Sequence, residues 1–272
     1  MDVKFICPTW GMDITNVSSV ISQIKNAGYD GVEIGFPIKE NQKQKEILQA
    51  AKQEGLVVIA QHYDAEGETP EEYLPSYSEH LYFLASLNPY FINAQTGKDY
   101  FSFEENCEVL EKCFAIEKET GVKIIHETHR GKFSYSIDAL EKYLNQFRQL
   151  RITADFSHYC VVSESFLQSD RQQQWISDAI KRTDHIHARV GYTQGPQVND
   201  PGADEWKEAL NYHLQWWDAI IEQNKHKDIF TITPEFGPPP YMQQLPYSHE
   251  PVSSQWEINL FMKELLHKRY NS

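Results

Sequence analysis

Four side chains of the kinds that bind divalent metal ions occur in order along the second half of the chain, each at the end of a strand-like segment. They are Glu127 in "IIHETH", Asp155 in "TADFSH", His187 in "HIHARV" and Glu235 in "TPEFG". Three carboxylates and one imidazole suit Mn2+, Zn2+, Co2+ or Mg2+ better than metals that prefer thiolates. Without a cation, burying these carboxylates together would be costly, because unpaired charges lose their hydration. The pattern predicts a site for one divalent metal ion.

Strand-like segments of the same kind recur along the whole sequence, and a helical pattern follows each of them. The eight segments are VKFICP, GVEIGF, LVVIAQHY, YFINAQT, VKIIHET, RITADF, HIHARV and IFTITPEF. Glycines stop the first two helical patterns, at Gly28 and Gly55, where a helix C-cap favours a left-handed backbone. Eight such units in 272 residues are close to the roughly 250 residues of a (β/α)8 barrel. We therefore predict an α/β fold, a (β/α)8 TIM barrel that forms a single domain over residues 1–272.

An open, doubly wound sheet is the alternative arrangement of alternating strands and helices. Such sheets often carry a glycine-rich turn that cradles a nucleotide, but neither GxGxxG nor GxxxxGK[ST] follows any of the eight segments. Two long loops rich in Pro and Gly, 191–206 and 237–254, follow the last two predicted strands. Loops at these positions of a barrel lie near the active site, so we interpret them as lids and not as domain boundaries.

The barrel interpretation places all four candidate ligands at one end of the fold. Catalytic groups of TIM barrels project from the C-terminal ends of the strands, and neighbouring strands lie about 4.8 Å apart, so consecutive strand ends can share one ion. Nearby, His158 is predicted to contact a substrate hydroxyl or a second metal ion, and Arg189 to reach the substrate or a carboxylate. His62 and Trp10, at the ends of the third and first strands, are predicted to line the pocket. The alternatives for these residues are a helix cap, an ion pair at the barrel rim and plain packing.

Composition narrows the choice of partners and location. The formal charge of −14, from 25 Lys and Arg against 39 Asp and Glu, argues against nucleic-acid binding. No apolar run reaches the roughly 18 residues of a membrane helix, and the start, MDVKFICPTWGM, has no secretory signal pattern. We predict a soluble, cytoplasmic protein whose four cysteines are reduced, because no CxxC spacing occurs. Whether the protein forms a homo-oligomer is left open. Trp216 and Trp217 could pack on the barrel or on a partner chain, and packing on the barrel is favoured.

The candidate ligands carry a family resemblance. Glu127, Asp155 with His158 as DxxH, His187 and Glu235 on predicted strands five to eight resemble the xylose isomerase-like TIM-barrel superfamily, the sugar phosphate isomerase/epimerase family. That group includes ketose 3-epimerases, hydroxypyruvate isomerase, inosose dehydratase and endonuclease IV. In the ketose 3-epimerases, the glutamates that match Glu127 and Glu235 bind the metal ion and form the acid/base pair on opposite faces of the substrate. The resemblance therefore implies a catalytic role for both.

The resemblance implies a divalent-metal-dependent sugar or sugar phosphate isomerase or epimerase. Such an enzyme transfers a proton next to a carbonyl through a metal-stabilised enediolate. An inosose dehydratase-like lyase and a sugar-binding barrel without turnover remain alternatives. The epimerases place an arginine several residues further on than Arg189, so the resemblance does not assign Arg189 a substrate role. Endonuclease IV is disfavoured, because the loop 191–206 lacks the Asp-x-His that a three-metal site needs.

Overall fold

Eight parallel strands close into a barrel in the order in which they occur along the chain. The computed structural model describes residues 1–39, 42–63 and 65–271. The strands are β1 (Asp2–Pro8), β2 (Gly31–Gly35), β3 (Val57–His62), β4 (Ile92–Ala94), β5 (Ile124–Glu127), β6 (Ile152–Ala154), β7 (Thr183–His187) and β8 (Ile229–Thr233). Strand β8 pairs with β1 and completes the closure. The predicted (β/α)8 barrel is thereby confirmed, and the open sheet is excluded.

Helices alternate with the strands and surround the barrel. Within the described residues they are α1 (Val17–Asn26), α2 (Gln42–Gln53), α3 (Pro70–Ser86), α4 (Phe103–Thr120), α5 (Ile137–Gln146), α6 (Ser157–Val162), α7 (Asp170–Ile180), α8 (Lys207–Gln223) and α9 (Gln255–Tyr270). Strand β6 is followed by two helices, of which α6 is an extra short one. No helix in this part of the chain is both long and apolar enough to cross a membrane.

Sequence signals at the helix ends agree with the structure in most cases. Ser102 and Glu105 form a reciprocal capping box at the start of α4. Thr69 caps α3, but the carboxylate of Glu72 accepts from the N–H of Glu68 and not from that of Thr69, so no reciprocal box forms there. Gly28 has the predicted left-handed backbone after α1, with φ of 77°.

The core lies between the barrel and its helices, as in other two-layer α/β folds. Trp216 and Trp217 on α8 are both buried in it, which confirms the favoured interpretation of this pair. The four cysteines are unpaired, as predicted, and three of them are buried.

A small apolar cluster fills the interior of the barrel below the strand ends. It consists of Ile6, Ile59, Phe91 and Ile125. Side chains two residues apart on a strand share a face, so the next inward positions after the last three are Gln61, Asn93 and Glu127. The cluster therefore forms an apolar floor, and the polar residues of the candidate site lie one layer above it.

Candidate metal centre and active site

The four predicted metal ligands meet at the C-terminal end of the barrel. Glu127 and His187 end β5 and β7, Asp155 follows β6 directly, and Glu235 lies two residues beyond β8. All four are buried, and each offers a ligand atom within 4.8 Å of the other three. Nδ1 of His187 lies 2.8 Å from Oε2 of Glu235 and 3.8 Å from Oε1 of Glu127. The chain thus brings together the ligand set that the sequence predicts, and metal binding by it stays a prediction.

His187 is held in place by Glu33, a residue of β2 that sequence reasoning missed. Oε1 of Glu33 lies 3.0 Å from Nε2 of His187 and also accepts a hydrogen bond from Asn93 at 2.8 Å. Oε2 of Glu33 accepts from Thr233 at 2.6 Å. Donation of an Nε2 proton to Glu33 leaves the lone pair of Nδ1 facing the other carboxylates. A carboxylate behind the imidazole is the usual support of a metal-binding histidine.

The fit of this site to a cation can be tested on the buried atoms themselves. Nδ1 of His187 is buried and makes no well-aligned hydrogen bond within the described residues, despite its closeness to Glu235. Burial lowers the pKa of His187, but the glutamates around it raise that pKa well above its usual value. Without a metal ion, the protonated imidazole of His187 itself supplies positive charge. A bound ion would take the place of the proton on Nδ1. The donor set therefore fits a divalent cation.

The charges of the cluster also favour a cation. Burial raises the pKa of Asp155 to about 6, and the neighbouring Glu235 and Glu127 add to this rise, whereas Arg189 opposes it. Burial also acts against ionisation of Glu127, but His187 outweighs it and lowers the pKa of Glu127 to about 2. The negative charge of the three carboxylates and of Glu33 exceeds the positive charge that Arg189 and one imidazolium supply. A divalent ion would supply the difference.

Two amides orient the carboxylates of the paired glutamates. Gln61 at the end of β3 donates to Oε1 of Glu235 at 3.1 Å, and Gln95 just beyond β4 donates to Oε2 of Glu127 at 3.2 Å. The second oxygen of each glutamate faces His187. The signal for these amides was available in the sequence, because both are polar residues at inward positions of strand ends.

Arg189 lies against the ligand cluster, as the sequence predicts, and lines the cavity above it. One Nη forms an ion pair with Asp155 and donates to Nε2 of His158 at 2.9 Å. The other Nη lies 3.8 Å from Oε2 of Glu235, and the guanidinium lies over the ring of Tyr241, 4.8 Å from its centroid. The sequence predicts that Arg189 reaches the substrate or a carboxylate; the contact with a carboxylate is present, and contact with a substrate stays a prediction.

His158 is placed differently from the expectation of a loop residue. The carboxylate of Asp155 accepts from the backbone N–H of Ser157 at 3.2 Å, and α6 begins at Ser157, so His158 lies in the first turn of that helix. It is fully buried and its ring packs against His129, 4.1 Å between centroids. His129 lines the cavity in its place. Glu127, His129 and His158 form a second group of ligand type that shares Glu127 with the first.

The structure does not bring His62 to the site. His62 follows Gln61 on β3, and because side chains alternate across a strand, Gln61 points into the barrel and His62 points outward. Its ring is fully buried between Tyr77 and His80 of α3, 4.5 Å from each ring centroid. Burial lowers the pKa of His62 to about 3, so the ring is neutral. The prediction that His62 lines the pocket is therefore wrong, because its side chain points away from the barrel interior.

A cavity of about 630 Å3 opens above the ligand cluster. Of the four predicted ligands, Glu127 and Glu235 line it. Trp10, predicted at the pocket wall, also lines it, next to Tyr241, whose ring meets it edge to face at 5.1 Å. The loop 237–254 thus contributes Tyr241 to the site, in the manner of the lid that the sequence suggested.

Sequence comparison identifies the family that this fold and site define. The profile of the xylose isomerase-like TIM barrel family matches residues 21–200, and the chain belongs to that family. A search among curated proteins gives no match.

Solved structures of low sequence identity have the same fold. An L-ribulose 3-epimerase has a TM-score of 0.67 at 10% identity, over 99% of this chain and 95% of that chain. A 3-keto-D-glucoside 4-epimerase from E. coli has a TM-score of 0.64 at 15% identity, over 98% and 100%. A probable 3-DHS dehydratase from Bacillus anthracis has a TM-score of 0.63 at 16% identity, over 98% and 99%. At such identities the similarity establishes the fold.

Proposed function

We propose that the protein is a sugar isomerase or epimerase that holds one divalent ion with Glu127, Asp155, His187 and Glu235 and moves a proton next to a carbonyl. One observation carries the proposal. Of the four candidate ligand residues, the two glutamates line the cavity, and they project from the ends of two different strands, β5 and β8. The family and the epimerases among the similar structures support a sugar as substrate.

The chemistry that a bound divalent ion supplies is Lewis acidity, which acidifies a C–H bond next to a carbonyl. One glutamate takes the proton and the other returns one, while Gln61 and Gln95 orient the two carboxylates. Return to the opposite face of the same carbon inverts a stereocentre, whereas return to the neighbouring carbon exchanges aldose and ketose. Arg189 forms an ion pair with Asp155 beside them and opposes the rise in the pKa of that carboxyl.

The test is a panel of aldoses, ketoses, their phosphates and inososes, incubated with the Mn2+-loaded protein in D2O and followed by NMR. We expect deuterium at a carbon next to the carbonyl without loss of water. Glu127→Gln and Glu235→Gln should each lower turnover by at least about a hundredfold, since general acid–base catalysis contributes that much or more. Metal content and thermal unfolding of each variant serve as controls, because a glutamine oxygen can still bind the ion.

Contrary outcomes separate this proposal from its alternatives. Unchanged exchange in both variants would exclude the glutamates as the acid/base pair. Release of water with a new enone absorbance would show a lyase, the second candidate, which the similarity to a probable dehydratase makes worth testing. Tight sugar binding without exchange would show a binding barrel.

A further inference from the structure

The cavity extends well beyond the metal cluster. From Glu127 and Glu235 it runs under the loop after β1 and along β2 toward α2. Apolar side chains line this outer region, namely Met12, Ile14, Ile34, Phe36 and Ile47. A volume of about 630 Å3 lies within the roughly 300–1,000 Å3 of sites that take drug-sized molecules. A single sugar ring held at the glutamates would leave most of the outer region empty.

Two exposed aromatic rings flank this outer region. Trp10 is 37% exposed and Tyr63 is 56% exposed, and both line the cavity. Atoms of each ring lie so close to a glycine that an added Cβ would overlap them, Trp10 at Gly237 and Tyr63 at Gly35. Glycine at these positions allows the close approach of the rings. The rings offer faces on which another ring could stack.

The lining is poorly suited to a phosphate group. Among the described residues that line the cavity, the cationic side chains are Lys43 and Arg189. Arg189 already binds Asp155 and His158, and Lys43 lies near enough to Asp13, which also lines the cavity, to act on its carboxylate. A phosphate monoester needs several charge-assisted donors to replace its hydration. The outer region therefore favours an uncharged, largely apolar group.

We propose that the substrate is an unphosphorylated glycoside whose sugar ring lies at the glutamates and whose aromatic aglycone lies between Trp10 and Tyr63. This inference rests on the proposed function for the sugar end of the cavity. A sugar ring with an aglycone fills both regions, and an aryl group matches the apolar lining better than a second sugar, whose hydroxyls would need partners there.

The glycosidic bond requires that an oxidation of the sugar precede this reaction. Because the bond locks the anomeric carbon, the carbonyl must be a ketone at another ring carbon. A reaction of the dehydrogenase class must therefore supply the substrate, by passing the hydride of a secondary alcohol to a nicotinamide and releasing its hydroxyl proton. At the site described here, the C–H next to that ketone then loses its proton to one glutamate and receives a proton from the other, with no net redox change.

Binding of unreactive glycosides tests the aglycone region independently of turnover. We would titrate the Mn2+-loaded protein calorimetrically with phenyl and methyl glycosides of glucose and galactose in both anomers, and with glucose 6-phosphate. We expect at least one phenyl glycoside to bind about tenfold more tightly than its methyl counterpart, and more tightly than the phosphate, because the aryl ring is buried between aromatic faces. Tyr63→Ala should remove most of that preference and leave methyl glycoside affinity unchanged.

The control variant is Tyr90→Ala, which removes another exposed tyrosine, 51% exposed and absent from the cavity lining. It should keep the phenyl preference. Failure of every phenyl glycoside to bind, tighter binding of the phosphate, or equal losses for phenyl and methyl glycosides in Tyr63→Ala would overturn the proposal. A phenyl preference without solvent exchange on any ketosugar would instead leave the aglycone region intact and remove the proposed chemistry.

Discussion

At the scale of single residues, the state of His187 depends on Glu33, a carboxylate that is not among the four candidate ligands. We predict that Glu33→Gln lowers metal affinity by about 10-fold to 100-fold, the usual effect of removing such a support. The amide can present an N–H to Nε2 of His187, which favours the tautomer with the proton on Nδ1, where the metal ion should bind. Affinity would be measured by competition with a chromogenic chelator.

Glu222→Gln gives the matched comparison, because it makes the same substitution at a glutamate that is 70% exposed and pairs with Lys225 on the surface, so metal affinity should stay unchanged. An unchanged metal affinity in Glu33→Gln, with circular dichroism showing a folded protein, would mean that Glu33 only packs the barrel interior.

The meeting of the four candidate ligands was predictable from sequence, because each is a ligand-type residue at or just beyond a strand end. Glu33 was not, since it lies in the middle of β2 and its role depends on a histidine 154 residues away. The prediction for His62 was wrong for a different reason. It ends β3, but the face on which a terminal residue points follows from the alternation along the strand, and Gln61 holds the inward position.

At the scale of elements, one aspartate joins the starts of the same four strands whose ends carry the candidate ligands. Asp184 in β7 contacts Arg151 before β6, Lys123 before β5 and Lys227 before β8. Its side chain is 5% exposed, whereas the cations are 27–44% exposed. Burial alone would raise the pKa of Asp184, but Arg151 and the two lysines outweigh it and hold that pKa well below its usual value.

The low pKa of Asp184 makes this cluster a source of acid-sensitive stability. Its contribution is complete above the unfolded-state pKa of about 3.9 and is lost as the pH falls toward the lower folded-state pKa. We predict that Asp184→Asn lowers the free energy of unfolding at pH 7 by about 1–3 kcal/mol, less than for a fully buried pair because the cations are partly solvated. The deficit should shrink as the pH falls from 5 to 3, measured by urea denaturation.

Asp178→Asn is the control for this network, because Asp178 pairs with Lys181 on the surface of α7, where the side chains are 40% and 55% exposed. It should change the free energy of unfolding by less than about 0.5–1 kcal/mol. A deficit in Asp184→Asn that stays constant down to pH 3 would show that packing, and not charge, is what the aspartate contributes.

The alternation of elements was readable from sequence, but α6 was not. Its six residues are too few for a helical period, and its N-cap residue, Phe156, offers no capping side chain; the carboxylate of Asp155 accepts from the backbone N–H of Ser157 instead. That hydrogen bond depends on how the strand end is oriented by its neighbours. Local sequence therefore predicts the long helices and strands, whereas tertiary context decides the short helix that positions His158.

At the scale of the whole molecule, a site that concentrates buried carboxylates should make folding depend on its ion. We predict that removing divalent metal with EDTA lowers the thermal midpoint and that Mn2+ restores it. At a free ion concentration 100 times the dissociation constant, binding to the folded state alone adds about 2.7 kcal/mol. Differential scanning calorimetry with and without Mn2+ measures the effect.

Asp155→Asn, which replaces one candidate ligand carboxylate with a neutral amide, should reduce the rise in thermal midpoint that Mn2+ causes. An equal response in this variant would mean that the ion acts on the surface of a chain with a formal charge of −14 and not at the strand ends.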